Sequence, residues 1–239
     1  MMDLTGKSKE KYVKETFNRI SEKYDFMNRM MSFGLDRFWR KKVVKIVRAK
    51  TGMKILDVCC GTGMLTIELA KKVGSSGRVI GLDFSENMLE QARKNISVLP
   101  EKENITFIQG DALQLPFEDN SFDGATIGWG LRNLSSIKSG IQEMRRVVKP
   151  GSLVVSIDMG KPSWPIFKQL YWFAFEKVVP FLGKVGAGGK QEEYKYLYQS
   201  ALVFESQQEL AEIFANCGLQ NTGYINLVGG AVSIVYGMK

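Results

Sequence analysis

Histidine is absent from the 239 residues of the chain. It is the side chain that most often serves as a general base near neutral pH and as a metal ligand. Neither a Cys-x-x-Cys pair nor a close acidic cluster with ligand spacing takes its place. We therefore predict a site without a metal ion, in which any general base is a carboxylate, a tyrosine or ordered water.

Cysteine is scarce as well, with three residues, of which Cys59 and Cys60 are neighbours. This odd, low number argues for reduced thiols and against a disulfide framework. No apolar run reaches the roughly 18–20 residues that span a bilayer. The start of the chain, Met-Met-Asp-Leu-Thr-Gly-Lys, has neither an apolar core nor a cleavage-like site. We therefore expect a cytoplasmic protein.

The composition is otherwise that of an ordinary globular protein, with 44% hydrophobic and 24% charged residues, and it suits one α/β domain. The formal net charge is +8, and the basic residues are scattered except for the cluster Arg37-Phe-Trp-Arg-Lys-Lys42. This cluster leaves two alternatives open: a solvated surface, or a contact with anionic lipid at the inner face of the membrane. We predict no nucleic-acid partner.

The rest of the chain is organised around the stretch from Lys54 to Thr66. It reads as a buried parallel strand, a tight turn through Gly61 and Gly63, and an amphipathic helix. A second apolar run ends at Asp83, about twenty residues past the turn, where a carboxylate can accept hydrogen bonds from ribose hydroxyls. The layout predicts a site for a nucleoside cofactor.

Two kinds of cofactor use such a layout. A dinucleotide fingerprint needs a third glycine, and Thr66 stands in its place. The pattern instead resembles the first motif of S-adenosylmethionine-dependent methyltransferases, with Asp57, Gly61 and Gly63 matching and Cys59 in the first glycine slot. A positively charged sulfonium tolerates a carboxylate such as Asp57, whereas a pyrophosphate would not.

Strand and helix patterns alternate from Lys54 to Ser156, which predicts a doubly wound, mostly parallel sheet of seven strands with a Rossmann-like arrangement. We divide the chain into an N-terminal helical cap or lid (1–50), a cofactor-binding core (51–160), an aromatic-rich helical insertion after the fifth strand (161–204), and a helix with two strands that completes the sheet (205–239). A helix is predicted from about Lys9 to Lys23, Ser85 is a predicted N-cap, and Pro150-Gly151 is a predicted turn before the fifth strand.

Further cofactor contacts are expected at the same edge of the sheet, each with a structural alternative. Met88 lies either against the adenine or in the core. Asp111 and Ala112 resemble the methyltransferase motif in which an acid meets the adenine amino group. Gly128 follows the fourth strand and would face the methionine moiety, and Thr62 either bonds the cofactor or stabilises the turn.

Beyond these motifs, the chain resembles the ubiquinone/menaquinone biosynthesis C-methyltransferases over nearly its whole length. The resemblance implies a class I methyltransferase fold, S-adenosylmethionine as cofactor, S-adenosylhomocysteine as product and a prenylated quinol as substrate. It rests on these motifs: Tyr24-Asp-x-Met-Asn28 with Ser32, Arg37-x-Trp39, Leu56-Asp-Val-Cys-Cys-Gly-Thr62, Gly81-Leu-Asp-Phe-Ser-Glu-Asn-Met-Leu89, Gly130-Leu-Arg-Asn133, Glu143-Met-Arg-Arg-Val-Val-Lys-Pro-Gly151, Gly229-Gly230 and Gly237-x-Lys239.

The chain also departs from that family. The family usually has histidine where this chain has Asp36 and Val235, and proline where it has Glu205. These departures bear on the quinol pocket, and they keep open a methyltransferase of the same fold that acts on another lipid or small molecule. A non-enzymatic module that binds a cofactor or lipid is the remaining alternative.

The implied reaction moves a methyl group to a ring carbon of a quinol. Arg132 is our leading catalytic candidate, because it follows the fourth strand and could stabilise a phenolate or orient a water molecule. Its alternative is a structural salt bridge. Tyr24 and Asp25 are weaker candidates, as are Asp158 and Tyr194.

The prenyl tail needs an apolar environment. We expect the residues that supply it either to form an apolar channel or to rest on a membrane surface. Burial in the core and a homodimer interface are the alternatives. The candidate residues are Phe26, Met27, Met30, Met31, Phe33 and the aromatic residues of 163–181.

Overall fold

The computed structural model describes residues 6–162, Gln169, Tyr196 and residues 199–239. Within these ranges one sheet forms the centre of the protein. Its strands are β1 (Lys54–Val58), β2 (Arg78–Asp83), β3 (Ile105–Gln109), β4 (Phe122–Gly128), β5 (Val148–Met159), β6 (Gln220–Leu227) and β7 (Val232–Met238). The helices of these ranges include α1 (Gly6–Ile20), α2 (Tyr24–Met31), α3 (Asp36–Ile46), α4 (Met64–Val73), α5 (Glu86–Ile96), α6 (Ile137–Val147) and α7 (Gln207–Asn216).

The sheet has seven strands in the order β3-β2-β1-β4-β5-β7-β6. Strands β1 to β5 pair in parallel, and β7 runs antiparallel to both β5 and β6. The chain therefore works outward from β1 to β3 and then returns to β4 on the other side of β1. Open sheets of this kind bind ligands beyond the carboxyl ends of the strands, where the order reverses. The predicted doubly wound, seven-stranded sheet is confirmed.

Helices cover both faces of the sheet. On β1, Leu56 and Val58 belong to a core cluster that includes residues of α6 and α7, whereas Ile55 belongs to a second cluster with residues of α3 and α4. Each of these side chains is at most 1% exposed. Full burial of an aliphatic side chain stabilises the fold by about 1.5–3 kcal/mol, which explains the apolar residues at these three positions of the strand.

The N-terminal helices lie over the carboxyl edge of the sheet. Val13 and Phe17 of α1 form a small buried cluster with Met88 of α5 and with Tyr196. Helix α1 begins and ends three residues earlier than predicted, because the chain turns at Ser21, whose hydroxyl donates to the Asn18 carbonyl. The apolar stripe of α1 therefore packs on the core and covers the strand ends at the same time.

Pro150 and Gly151 lie inside β5 and not before it. The pairing with β4 passes from Val148 opposite Phe122 to Leu153 opposite Gly124, so the predicted turn is an irregularity within the strand. Gly151 has a φ of +80°, a left-handed conformation that glycine adopts at little cost. The predicted helical insertion at 161–204 falls largely outside the described residues, and so does Tyr194.

Candidate active site

A cavity of about 580 Å³ lies beyond the carboxyl ends of β1 to β4. Its floor comes from the ends of these strands and the segments after them, at Cys59, Gly61, 82–84, 109–113 and 128–130. Helix α1 and the first residue of α2 also line it, through Lys11, Val13, Lys14, Phe17 and Tyr24. The volume is in the usual range of small-molecule sites, about 300–1,000 Å³.

The glycine turn after β1 leaves room for a ligand at one of its two glycines. Gly61 lines the cavity at a φ of +54°, and a Cβ atom added there would meet nothing within 4 Å. Gly63 has a φ of +81°, but a Cβ atom there would lie 2.8 Å from Cζ of Phe107. Gly63 does not line the cavity, so its absent side chain serves close packing of the loop on β3.

Cys59, which stands in the first glycine slot of the motif, has a left-handed backbone conformation. Its φ is +53°, and it lines the cavity. A Cβ atom added to Gly130 would lie 2.6 Å from Cβ of Cys59, so the two loops approach as closely as a glycine permits. Burial raises the pKa of the Cys59 thiol well above its ordinary value, and nearby Asp83 raises it further, so the thiol stays protonated.

Asp83 ends β2 at the wall of the cavity and is 4% exposed. Its two carboxylate oxygens accept hydrogen bonds from the backbone amides of Gly61 at 2.8 Å and Ser85 at 2.9 Å. Each oxygen keeps a second lone pair, which a ribose hydroxyl can use. Burial raises the pKa of Asp83 to about 6, against the backbone hydrogen bonds that lower it.

A second buried acid lies close to the glycine turn. Asp57 of β1 accepts hydrogen bonds from the hydroxyls of Thr66 at 2.7 Å and Thr126 at 2.8 Å. Burial raises the pKa of Asp57 to about 6, and the charge of Asp83 contributes to that rise. Two carboxylates beside one loop favour a positively charged ligand such as a sulfonium, and they disfavour a pyrophosphate.

The other predicted cofactor residues line the same cavity. Met88 is 1% exposed and also belongs to the buried cluster with Val13 and Phe17, so both interpretations of this residue fit its position. Asp111 is exposed and accepts a 2.8 Å hydrogen bond from the Leu113 amide. The remaining two are Ala112 and Gly128.

Thr62 and Asp25 are joined to each other and do not line the cavity. The Thr62 hydroxyl donates a 2.6 Å hydrogen bond to Asp25 of α2, whose other oxygen accepts one of 3.0 Å from the Asn95 side chain. The same Asn95 amide donates to the Thr62 carbonyl at 3.0 Å. Thr62 therefore stabilises the turn through its contact with α2. The cofactor contact predicted for Thr62 and the catalytic role predicted for Asp25 stay predictions.

Arg132 forms a buried ion pair with Asp158 at the end of β5. The guanidinium also donates to the Trp129 carbonyl at 3.1 Å. Burial alone would lower the pKa of Arg132, but the neighbouring carboxylate outweighs it and raises the pKa. Burial likewise raises the pKa of Asp158, against the pull of Arg132. Within the described residues, Nε of Arg132 and Oδ2 of Asp158 are buried without a hydrogen-bond partner.

Tyr24 lines the cavity at the start of α2. Burial raises the pKa of the Tyr24 phenol, while the positive charge of Arg132 acts in the opposite direction. The charge of Arg132 therefore reaches the wall of the cavity, although its side chain does not line the cavity itself. This arrangement can stabilise negative charge that develops on a bound phenol.

Among the lining residues that sequence reasoning missed, Asn133 and Trp129 stand out by their contacts and backbone. Asn133 lines the cavity, accepts a 2.9 Å hydrogen bond from the Tyr196 hydroxyl and donates one of 3.1 Å to the Trp129 carbonyl. Trp129 also lines the cavity, at a φ of +54°. Asn133 closes the Gly130-Leu-Arg-Asn133 motif, so that motif carried the signal. Among the described residues, no group of histidine, cysteine or acidic side chains could hold a metal ion.

A glycine turn after β1, a buried acid after β2 and a cavity at the switch point define a class I S-adenosylmethionine-dependent methyltransferase. Solved structures agree on the fold. A methyltransferase of this kind from Aquifex aeolicus is 26% identical with a TM-score of 0.60, over 83% of this chain and 88% of that one. A protein described as a putative S-adenosylmethionine-dependent methyltransferase, from Methanococcus maripaludis, has a TM-score of 0.68 at 18% identity, over 100% and 97% of the two chains.

The chain belongs to the ubiE/COQ5 methyltransferase family, whose model matches residues 5–239. It is 58% identical to the demethylmenaquinone methyltransferase of Desulfitobacterium hafniense, over 100% of this chain and 94% of the relative. It is 44% identical to the demethylmenaquinone methyltransferase of Staphylococcus aureus, over 98% and 95% of the two chains. The chain is therefore an S-adenosylmethionine-dependent methyltransferase, and the resemblance stated from its motifs is confirmed.

Proposed function

We propose that this methyltransferase converts demethylmenaquinol to menaquinol by C-methylation of the quinol ring. The observation that carries the proposal is one cavity that contains both the cofactor loop and Tyr24, next to the buried pair Arg132–Asp158. The names of the relatives support menaquinol over the ubiquinone-pathway equivalent, which is the alternative substrate within the family.

The cofactor-binding residues fit S-adenosylmethionine. Asp83 has free lone pairs for the ribose hydroxyls, and Gly61 leaves its backbone open to the ligand. We assign the adenine to Asp111, Ala112 and Met88, and the methionine moiety to Gly128. When bound, the cofactor supplies a methyl group without its bonding electrons, and the ring carbon that accepts it loses a proton.

The residues of the chain have two tasks in this reaction. They hold the acceptor carbon near the methyl group, at about 3–3.5 Å, and they favour a phenolate over a phenol. We assign the second task to Arg132, because its charge acts on Tyr24, and we assign contacts with the ring oxygens to Tyr24 and Asn133, because both line the cavity. Asp25 supports this geometry from the lid.

The alternative substrate classes have less support. Asp36 and Val235, which stand where the family usually has histidine, are both buried and do not line the cavity. They therefore give no reason to prefer another acceptor. We also propose peripheral contact with the cytoplasmic face of the membrane, because a prenylated quinol resides in lipid. In the described residues, no helix is long and apolar enough to cross a membrane. A homodimer stays a prediction.

Methyl transfer to a panel of acceptors tests the proposal. The purified protein is given methyl-labelled S-adenosylmethionine with demethylmenaquinol, demethoxyubiquinol or simple phenols. We expect labelled menaquinol as the main product. Turnover of another acceptor with none on either quinol would overturn the substrate assignment. Absence of cofactor binding by calorimetry would overturn the site assignment as well.

A further inference from the structure

The corner between α2 and α3 exposes large aromatic side chains to solvent. Phe33 is 89% exposed, Phe38 66% and Phe26 53%. On α2, Phe26, Arg29 and Met30 follow the helical spacing of one face, Met27 is buried on another face, and Phe33 follows just after the end of the helix. Exposed apolar groups that cluster in this way mark an interaction surface, whereas single exposed residues do not.

The same corner is strongly basic. The exposed cationic side chains of residues 29–48 are Arg29, Arg37, Lys41, Lys42, Lys45 and Arg48. Both acidic residues of 24–48 have partners within the protein. Asp25 accepts hydrogen bonds from Thr62 and Asn95. Asp36 is 7% exposed and forms an ion pair with Arg40 at 2.6 Å. Nothing acidic within this segment therefore offsets the exposed positive charge.

The corner is also held in a fixed conformation. Asp36 accepts a 3.0 Å hydrogen bond from the Ser32 hydroxyl as well as the ion pair from Arg40, which ties the end of α2 to the start of α3. Phe33 is left with a φ of +51°, a conformation that costs a non-glycine residue energy. The fold thus keeps a strained aromatic residue at the most exposed point of the corner.

We infer that this corner, the Phe33 surface (Phe26, Phe33, Phe38, Arg29, Arg37, Lys41 and Lys42), docks the enzyme on an anionic phospholipid bilayer. Aromatic side chains within a basic patch match an apolar interior beneath a negatively charged headgroup layer. The inference rests on the proposed prenylated quinol as the reason for docking. The inner face of α2 lines the cavity through Tyr24, so the surface places the site beside the lipid that would hold the substrate.

Vesicle flotation tests the inference with the full chain and without any quinol. We expect wild-type protein to bind vesicles of phosphatidylcholine with phosphatidylglycerol, and not vesicles of phosphatidylcholine alone. Binding should weaken as salt is raised, because exposed charges are screened. Each basic residue near an anionic surface strengthens binding roughly fivefold, so Lys41→Glu/Lys42→Glu should reduce binding by more than about tenfold.

Two surface variants, each with a control variant elsewhere on the protein, distinguish loss of the Phe33 surface from general effects of substitution. Phe33→Ser/Phe38→Ser should reduce binding about tenfold or more, while Val98→Ser, at a valine 88% exposed elsewhere, should leave it unchanged. Lys72→Glu on the exposed end of α4 is the charge control. None of these residues lines the cavity, so cofactor affinity should stay at the wild-type value in all of them.

Other results would overturn the inference. One such result is equal vesicle binding by wild type and the Phe33→Ser/Phe38→Ser variant. The others are equal binding to anionic and neutral vesicles, and no binding to either. A dimer in sedimentation that is lost in Phe33→Ser/Phe38→Ser, without vesicle binding, would assign the surface to a second copy of the chain. Vesicle binding without methyl transfer to demethylmenaquinol would overturn only the proposed function.

Discussion

The carboxylate of Asp25 accepts a 2.6 Å hydrogen bond from the hydroxyl of Thr62, which joins α2 to the glycine turn. Helix α1 makes equivalent contacts with two other loops. Lys9 donates to the Arg132 carbonyl at 3.0 Å, and Ser85 donates to the Asn18 side chain at 2.6 Å. The N-terminal helices are thus bonded to the loops after β1, β2 and β4, and residues of all three loops line the cavity.

Loss of the Thr62 hydroxyl should speed release of the cofactor. A hydrogen bond to a charged group stabilises by about 1.5–3 kcal/mol, so Thr62→Val should raise the rate of S-adenosylmethionine dissociation roughly tenfold or more. Thr62→Ser keeps the hydroxyl and is the matched control, with a rate near wild type. Stopped-flow fluorescence of the tryptophans measures both. An unchanged rate in Thr62→Val would show that the Asp25 contact does not retain the cofactor.

The local features of the sheet could be predicted from the sequence. The apolar runs gave the strands, and Ser85 is the N-cap of α5, where its side chain accepts from the Met88 amide at 3.3 Å. These features depend on residues close in the chain, whose patterns follow from strand and helix geometry. Asp83 followed from the same reasoning, because a parallel strand brings its last residue to the common edge.

Contacts between distant parts of the chain could not be predicted in the same way. Asp158 and Arg132 are 26 residues apart, and Thr62 and Asp25 are 37 apart. Their pairing depends on how loops from different strands meet, which no local pattern encodes. The positive φ of Cys59 could not be predicted either, because cysteine rarely adopts such a conformation. The structure shows that the Cys59 side chain fits because Gly130, which is distant in the chain, has no Cβ atom.

Cofactor affinity should depend on pH through Asp83. The pKa of this carboxyl is about 6 in the folded protein and 3.8 ordinarily, so the free energy of unfolding falls as pH rises from about 4 to 6. The ionised form accepts the ribose hydroxyls and attracts the sulfonium, so affinity for S-adenosylmethionine should fall as pH drops below about 6. Calorimetry between pH 5 and 8 measures this dependence.

Asp83→Asn should weaken binding at pH 7.5 by about tenfold to a hundredfold, since charge-assisted hydrogen bonds stabilise by about 1.5–3 kcal/mol. The variant should also have a shallower pH dependence. Asp57 titrates in the same range, with a pKa of about 6, and accounts for the pH dependence that remains in this variant. A full wild-type pH dependence in Asp83→Asn would exclude Asp83 as the group responsible.

The pair Arg132–Asp158 stabilises the fold and contains the positive charge proposed for catalysis. A double variant separates these two roles. Arg132→Met leaves the carboxylate of Asp158 buried without its partner, which should cost about 3–5 kcal/mol in the free energy of unfolding. Arg132→Met/Asp158→Leu should recover most of that loss, because both charges are gone. Turnover should stay abolished in the double variant while calorimetry shows cofactor affinity near wild type. Recovered turnover would disprove the catalytic role of Arg132.

The close approach of Gly130 to Cys59 predicts a compensating pair of substitutions. Gly130→Ala places two Cβ atoms 2.6 Å apart and should lower the free energy of unfolding by about 1–3 kcal/mol. Cys59→Gly removes one of those atoms and relieves the left-handed φ of +53°, so Cys59→Gly/Gly130→Ala should return to within about 1 kcal/mol of wild type. Gly128→Ala is the control, because its Cβ atom would lie 3.5 Å from Leu65, an ordinary contact. Denaturant unfolding measures wild type, both single variants, the double variant and the control, and additive losses in the double variant would show that the two loops are not in contact.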